Sequence, residues 1–370
     1  MKIVIASDSF KGSLSGEAIN SIWQKITRAE KDKYIIEPLL VADGGDGTLD
    51  AIIKQKNGTI VSVEVKNPLF APVRSRYGVF EDSAVISMCE CSGLTLIPNS
   101  KRNPLKTTSF GTGELIRHAV LSGKKKIYIT LGGSATNDGG VGALTALGFK
   151  FIKKDGSIAK GTGSELSDIV SVDDSGAVDF SDVEIIILSD VTNPLTGERG
   201  AARTFARQKG ANDAEIELLE KGMLNFQRVL QNRYKSDVNK ISGGGAAGGM
   251  GAGLSVMLNA KIVSGVEEIL KIVEFDERIK DADYIITGEG RIDGQSKDGK
   301  VISGILNHAK AKDKPVIAIV GTIGSGFEDL YERGLTSVFS IIDKPSSLED
   351  ILDRSEKLYE NTALNVLNLL

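Results

Sequence analysis

Short apolar runs rich in β-branched residues recur at 2–6, 35–41, 127–131, 183–188, 284–287, 316–320 and 338–342, and each predicts a strand. Most are apolar at every position instead of alternating, the pattern of strands buried on both faces of a helix-covered, mostly parallel sheet. Helical stripes lie between them. Ala18, Ile19, Ile22, Trp23 and Ile26 form one behind a Ser15 N-cap, Leu49, Ile52 and Ile53 begin a second, and Leu115, Ile116, Ala119 and Val120 a third. The order reads βαβα throughout, so the fold class is α/β.

The segment 67–76, NPLFAPVRSR, holds two of the eight prolines and no helical period, and it reads as a crossover between domains, with the return at 274–283. A chain of 370 residues exceeds what one core usually organises. The expectation is therefore two α/β domains. The first, residues 1–72 plus 275–370, carries a Rossmann/flavodoxin-like parallel sheet; the second, residues 73–274, is a mixed-sheet α/β domain inserted into it.

Composition narrows the function classes. With 45 Lys and Arg against 49 Asp and Glu, the net charge of −4 offers no global field for nucleic acid or an anionic membrane, so any phosphate site is local. The N-terminal apolar run is too short for a signal segment and no stretch has the length of a membrane span, so a cytoplasmic location is expected. Cys89 and Cys91 lack metal or redox spacing, and His118 and His308 fall inside helical patterns, away from strand ends. Zinc and His-triad chemistry are thereby disfavoured.

The 42 glycines concentrate where strands stop. Asp8, Asp43, Gly132, Asp190, Gly288 and Gly321 all fall just past a strand's carboxyl end, where open α/β sheets bind ligands. Each such loop also admits a plain explanation as a turn or helix cap. In GGSATNDGG, Gly132 and Gly133 permit close backbone approach, Ser134, Thr136 and Asn137 add donors, and Asp138 is placed to cap the next helix, an arrangement suited to an anion. A second run at 242–254 contains a literal G-x-G-x-x-G at Gly243, Gly245 and Gly248, but a polar segment precedes it and no acid follows at dinucleotide-binding distance. Close helix packing explains it equally well. In TGEGRIDGQSKDGKV the glycines and Lys300 mimic a Walker loop, yet Val301 stands where that loop needs a hydroxyl for Mg²⁺.

Taken in order, DSFKGSLS (8–15), VADGGDGT (41–48), SGLTLIP (92–98), RNPLKTTSFGTGELI (102–116), LGGSATNDGGVGALTALG (131–148), DVTNPLTGERGAA (190–202), QKGA (208–211), GAAGG (245–249) and TGEGRIDGQSKDGKV (287–301) resemble the bacterial glycerate kinase family. The resemblance implies ATP-dependent phosphorylation of D-glycerate, with Mg²⁺, in a cleft between two α/β domains of a fold unlike the P-loop enzymes. Family members make 2- or 3-phosphoglycerate, and 2-phosphoglycerate is taken as the product here. Partners are then the small acid and, as one oligomeric option, a second copy in a homodimer.

Phosphoryl transfer needs held phosphates, charge neutralisation and a proton acceptor. Asp190 is the candidate base, with Lys11 and Arg291 as catalytic cations. Asp8, Ser9, Asn193 and Lys300 are assigned to substrate; Gly132, Gly133, Ser134, Thr136 and Asn137 to the nucleotide; and a subset of Asp43, Asp46, Glu289 and Asp293 to the metal. A kinase for a related hydroxy acid, a nicotinamide oxidoreductase and a non-catalytic sensor of hydroxy acids are the competing readings.

Overall fold

The computed structural model describes every residue except Lys11, Lys31, Asp46, Asp298 and Gly299, together with the side chain of Lys297. The chain divides into two compact units: Met1–Asp43, Asp50–Lys56 and Gly265–Leu370 form the first, and Gly44–Leu49 and Asn57–Ser264 the second.

In the first unit five parallel strands run in the spatial order Leu335–Ser340, Val316–Val320, Tyr284–Thr287, Lys2–Ser7, Ile35–Leu40. Numbered along this unit, that is the 2-1-3-4-5 order of flavodoxin-like sheets, whose topological switch point lies between the first and third strands. Those two pair through Ile3 with Tyr284 and Ile5 with Ile286. Lys2–Ser7 and Val316–Val320 are buried almost throughout, as their unbroken apolar runs require. Helix Gly16–Ile26 starts where the Ser15 hydroxyl accepts the Ala18 N–H at 3.1 Å and buries Ile19, Ile22 and Trp23. The Trp23 indole N–H then finds the Tyr359 hydroxyl at 3.2 Å, so the largest core side chain keeps its one donor satisfied.

The second unit holds a six-stranded mixed sheet in the order Lys261–Val263, Glu184–Leu188, Lys126–Thr130, Ser83–Ser87, Pro72–Phe80, Thr59–Lys66. The first four are mutually parallel and the last two antiparallel. This antiparallel meander corrects the βαβα order expected throughout. It also moves the unit boundary: the division falls at Lys56/Asn57, where the sequence reading placed it at 72/73, because Thr59–Lys66 pairs along its length with Pro72–Phe80. The later division falls at Ser264/Gly265, where 274/275 was expected, since helix Gly265–Ile272 packs with helix Val301–Lys310 of the first unit. Pro72 sits at the first position of its strand, where a missing N–H costs no ladder bond.

The glycine run at 242–254 becomes helix Ala246–Met257 with Ala247, Gly248 and Gly249 in the left-handed region at its start. A Cβ on Gly248 would lie 2.1 Å from the Thr136 carbonyl oxygen, and one on Gly253 would lie 2.2 Å from that of Gly139. The two glycine-rich segments of this unit thus pack backbone to backbone, with the Gly139 N–H on the Gly248 carbonyl at 3.0 Å. The short helix Val238–Lys240, not a strand, precedes the run, so the dinucleotide fingerprint lacks its context.

Candidate active site

All five strands of the first unit deliver residues from their carboxyl ends to one pocket of about 390 Å³. Asp8, Ser9 and Phe10 follow the first strand, Asp43 the second, Glu289, Gly290 and Arg291 the third, Gly321 and Thr322 the fourth, and Ile341 and Ile342 the fifth. Lys300 enters from the residue before helix Val301–Lys310. The pocket therefore occupies the switch point, the place the topology makes available. Gly288 is forced there by space: a Cβ on it would lie 2.0 Å from the Ile319 carbonyl oxygen. Its own carbonyl accepts the Asp8 N–H at 2.9 Å, tying the first and third loops together.

The polar side chains are mutually organised. The Asp8 carboxylate accepts the Ser9 N–H at 2.7 Å, which turns the loop sharply past the strand. Glu289 accepts a close hydrogen bond from the Ser296 hydroxyl, and the Lys300 ammonium stands 3.6 Å from its other oxygen. Burial pushes the Glu289 carboxyl upward, against the downward pull of Ser296 and Lys300. Arg291 is mostly exposed and meets Asp293 at 3.0 Å. Asp293 also caps the Gln295 N–H and is not a lining residue, so its part is to fix the Arg291 loop.

Six residues that the sequence singled out, Asp8, Ser9, Asp43, Glu289, Arg291 and Lys300, share this pocket. Lys11 and Asp46 lie outside the described residues. Among the described residues no three His, Cys, Asp or Glu side chains are grouped to hold a metal. Of the residues expected to hold the metal, Asp43 and Glu289 line this pocket. The sequence did not single out the apolar lining, Phe10, Ile341, Ile342, Leu348, Ile351 and Leu352, because five of these lie beyond the last motif and read as ordinary strand or helix positions.

The second unit treats its strand-end loops differently. Gly132, Gly133 and Ser134 keep some exposure, whereas Thr136 and Asn137 are fully buried. The helix expected to offer its N-terminus is the short Val141–Ala146, and the amides of Gly140 and Gly142 that precede and open it donate to Asp138, at 3.1 and 3.2 Å. The Ser109 N–H and hydroxyl reach the same carboxylate at 2.8 and 2.7 Å. The start of this helix is thus held by the chain's own carboxylate, in keeping with the capping role expected of Asp138.

Beside it lies Lys209, only 2% exposed, which the sequence reading quoted in a motif without giving it a role. Its ammonium donates to the Ser134 hydroxyl at 2.9 Å and to the Thr136 carbonyl at 2.7 Å. Burial lowers this ammonium to about 7, with the Asp138 charge opposing the fall. Nothing in a lone lysine between Gln208 and Gly210 signals burial; its partners, Ser134 and Thr136, lie more than 70 residues away in the chain.

Asp190 is half-buried just past strand Glu184–Leu188. The Asn193 amide donates to the Arg199 carbonyl at 2.7 Å and its own carbonyl accepts the Gly245 N–H at 2.9 Å, so Asn193 braces the 191–204 loop. His118 bonds the Tyr77 hydroxyl at 2.8 Å, and His308 lies between Asp276 and Glu267 at 2.9 Å each, so both are structural partners.

Residues 3–370 match the model of the glycerate kinase family. A glycerate kinase of Bacillus cereus is 42% identical over 99% of this chain and 97% of its own length. The glycerate 2-kinase of Escherichia coli is 41% identical over 95% and 93%. A crystal structure from Salmonella typhimurium LT2, of a protein assigned as glycerate kinase 2, superposes with a TM-score of 0.87 at 42% identity, covering 99% of this chain and 97% of that one. Matched by the family model over residues 3–370 and about 40% identical to its relatives over nearly their whole length, the chain belongs to the glycerate kinase family.

Proposed function

We propose that the chain transfers a phosphoryl group from ATP, with Mg²⁺, to the 2-hydroxyl of D-glycerate, giving 2-phosphoglycerate. The observation that carries this reading is the gathering of Arg291 and Lys300 with Asp8, Asp43 and Glu289 in one switch-point pocket. Two cations suit an acid and a migrating phosphoryl group, which bring only negative charge. Asp43 and Glu289, the members of the metal set that line the pocket, would hold the metal, whose contribution is to neutralise charge on the phosphates, and Asp8 and Ser9 would face the acid. The choice of the 2-hydroxyl follows the named activity of the Escherichia coli relative.

Asp190 is proposed as the acceptor of the hydroxyl proton, with Asn193 keeping its loop in shape. Of the residues proposed for the nucleotide, Gly132, Gly133 and Ser134 keep some exposure, and Thr136 and Asn137 are fully buried.

ADP release is measured with D-glycerate, then without Mg²⁺, and then with L-glycerate or glycerol in place of the acid. Release that requires both D-glycerate and Mg²⁺ supports the reading, and release with none of these dependences sinks it. Phosphorus NMR of the product separates the 2- from the 3-phosphate.

A further inference from the structure

The polar end of the first unit's pocket accounts for only part of its volume. A three-carbon acid has seven non-hydrogen atoms, and at no more than the roughly 30 Å³ that a water occupies in the liquid it fills about half of the space. The remainder is walled by Phe10, Ile341, Ile342, Leu348, Ile351 and Leu352. A hydroxy acid bearing a carboxylate and hydroxyls has no apolar face to lay against such a wall. Leu348 is 71% exposed and Leu352 37% exposed at its lip, a cost that burial against a ligand would recover.

The wall is built in advance. The Ile341 N–H bonds the Val320 carbonyl at 2.9 Å, and the Ser340 hydroxyl donates to Gly321 at 3.0 Å while accepting the Ile342 N–H at 3.1 Å. Helix Leu348–Asp353 starts at Ser347, whose hydroxyl accepts the Asp350 N–H at 3.2 Å, and Arg354 ties Asp350 to Asp343. Phe10 is held edge-on by Tyr359 at 5.8 Å. A pocket that sets six apolar side chains beside Arg291 and Lys300 matches a ligand that is apolar over one part and polyanionic over another.

We infer that this apolar slot seats the base of the phosphoryl donor, a purine nucleotide whose phosphates point toward Arg291 and Lys300. The inference rests on the kinase reading for the choice of a nucleotide, and it adds a binding site that the sequence motifs do not contain. Leu348 and Leu352 are then specificity-determining contacts to the base.

The test uses the full chain. Leu348→Ser and Leu352→Asn, both at the exposed lip, are compared with wild type and with Leu218→Ser, an exposed leucine of the second unit. Each lip variant should raise KM for ATP roughly tenfold, a loss in line with one buried apolar contact, while KM for D-glycerate stays within about twofold and Leu218→Ser changes neither. An unchanged KM for ATP in both lip variants, or a rise in KM for D-glycerate instead, overturns the proposal. Calorimetric titration of ADP and of adenosine into wild type and Leu348→Ser requires no turnover. If D-glycerate proves not to be the acceptor, weaker binding of both to the variant still supports the slot, and equal binding, or none, refutes it.

Discussion

The loop after strand Lys2–Ser7 and the loop after strand Lys126–Thr130 have the same ingredients, glycine, serine and a carboxylate, the last standing one residue past the strand in the first loop and eight past it in the second. Their fates differ. Asp8 lines an open pocket, while Asp138 is sealed in the second unit beneath four donors and near a buried ammonium. A carboxylate that collects backbone N–H groups and is closed off from water has become part of the architecture. Asp8, placed at the switch point, lines a pocket instead. Loop composition therefore does not decide between chemistry and support; what decides is whether the fold closes over the carboxylate or leaves it in a pocket wall.

The widest separation between the units should come from paired substitutions. Lys300→Met is expected to lower kcat/KM about a hundredfold with the melting temperature unchanged, since it removes a partly exposed cation from the proposed phosphoryl path. A variant that keeps most of its activity would break the assignment of chemistry to the pocket. Asp138→Ala should do the opposite, costing about 3 kcal/mol in denaturant unfolding by orphaning the donors of Ser109, Gly140 and Gly142. If it folds as stably as wild type and loses turnover, the second loop is chemical after all.

Asp190→Asn should reduce turnover by at least about tenfold with intact melting, as general-base removal does. Near-normal turnover would end its candidacy and confine the carboxylate chemistry to the first unit. The smallest effect is in the pH dependence of stability. Lys209 titrates near 7 in the fold against an ordinary 10.5, so between these values the unfolded chain binds the extra proton and stability rises with pH. Below about 7 the ammonium is present in both states and the burial penalty is complete. The rise is at most about 1.4 kcal/mol per pH unit, and Lys209→Met should flatten it in urea titrations at pH 7 to 10. An unaltered slope would mean that the ammonium is hydrated.

Much of the first unit was legible because its strands are buried on both faces and so appear as unbroken apolar runs; Tyr284–Thr287 and Val316–Val320 fall where expected. The last strand was placed three residues late: Thr336 and Ser337 interrupt the apolar signal, and Ile341, read as strand, belongs to the pocket wall. Thr59–Lys66 and Pro72–Phe80 were missed for a different reason. They alternate polar and apolar residues at a sheet margin, and the prolines at 68 and 72 mark a turn and a strand start that read together as a linker.

At the sites, residues at strand ends were found from pattern alone, since a turn past a buried strand must carry polar or glycine residues. Lys209 and the leucines of helix Leu348–Asp353 were not, because their significance arises only from what tertiary folding brings beside them. The capping role of Asp138 was visible, but its geometry was not.

The pairing of Lys2–Ser7 with Tyr284–Thr287 also sets a timetable for synthesis. As the chain leaves the ribosome, the central strand of the first unit can meet Ile35–Leu40 early, but its other neighbour is made about 280 residues later. At the usual elongation rates of about 5–20 residues per second, one edge of a strongly apolar strand waits roughly 15–55 s for its partner, while the whole intervening unit emerges first. Nascent molecules of this enzyme should thus display an uncovered hydrophobic edge late into translation, making them clients for holding chaperones and sensitive to any truncation that removes Tyr284–Thr287.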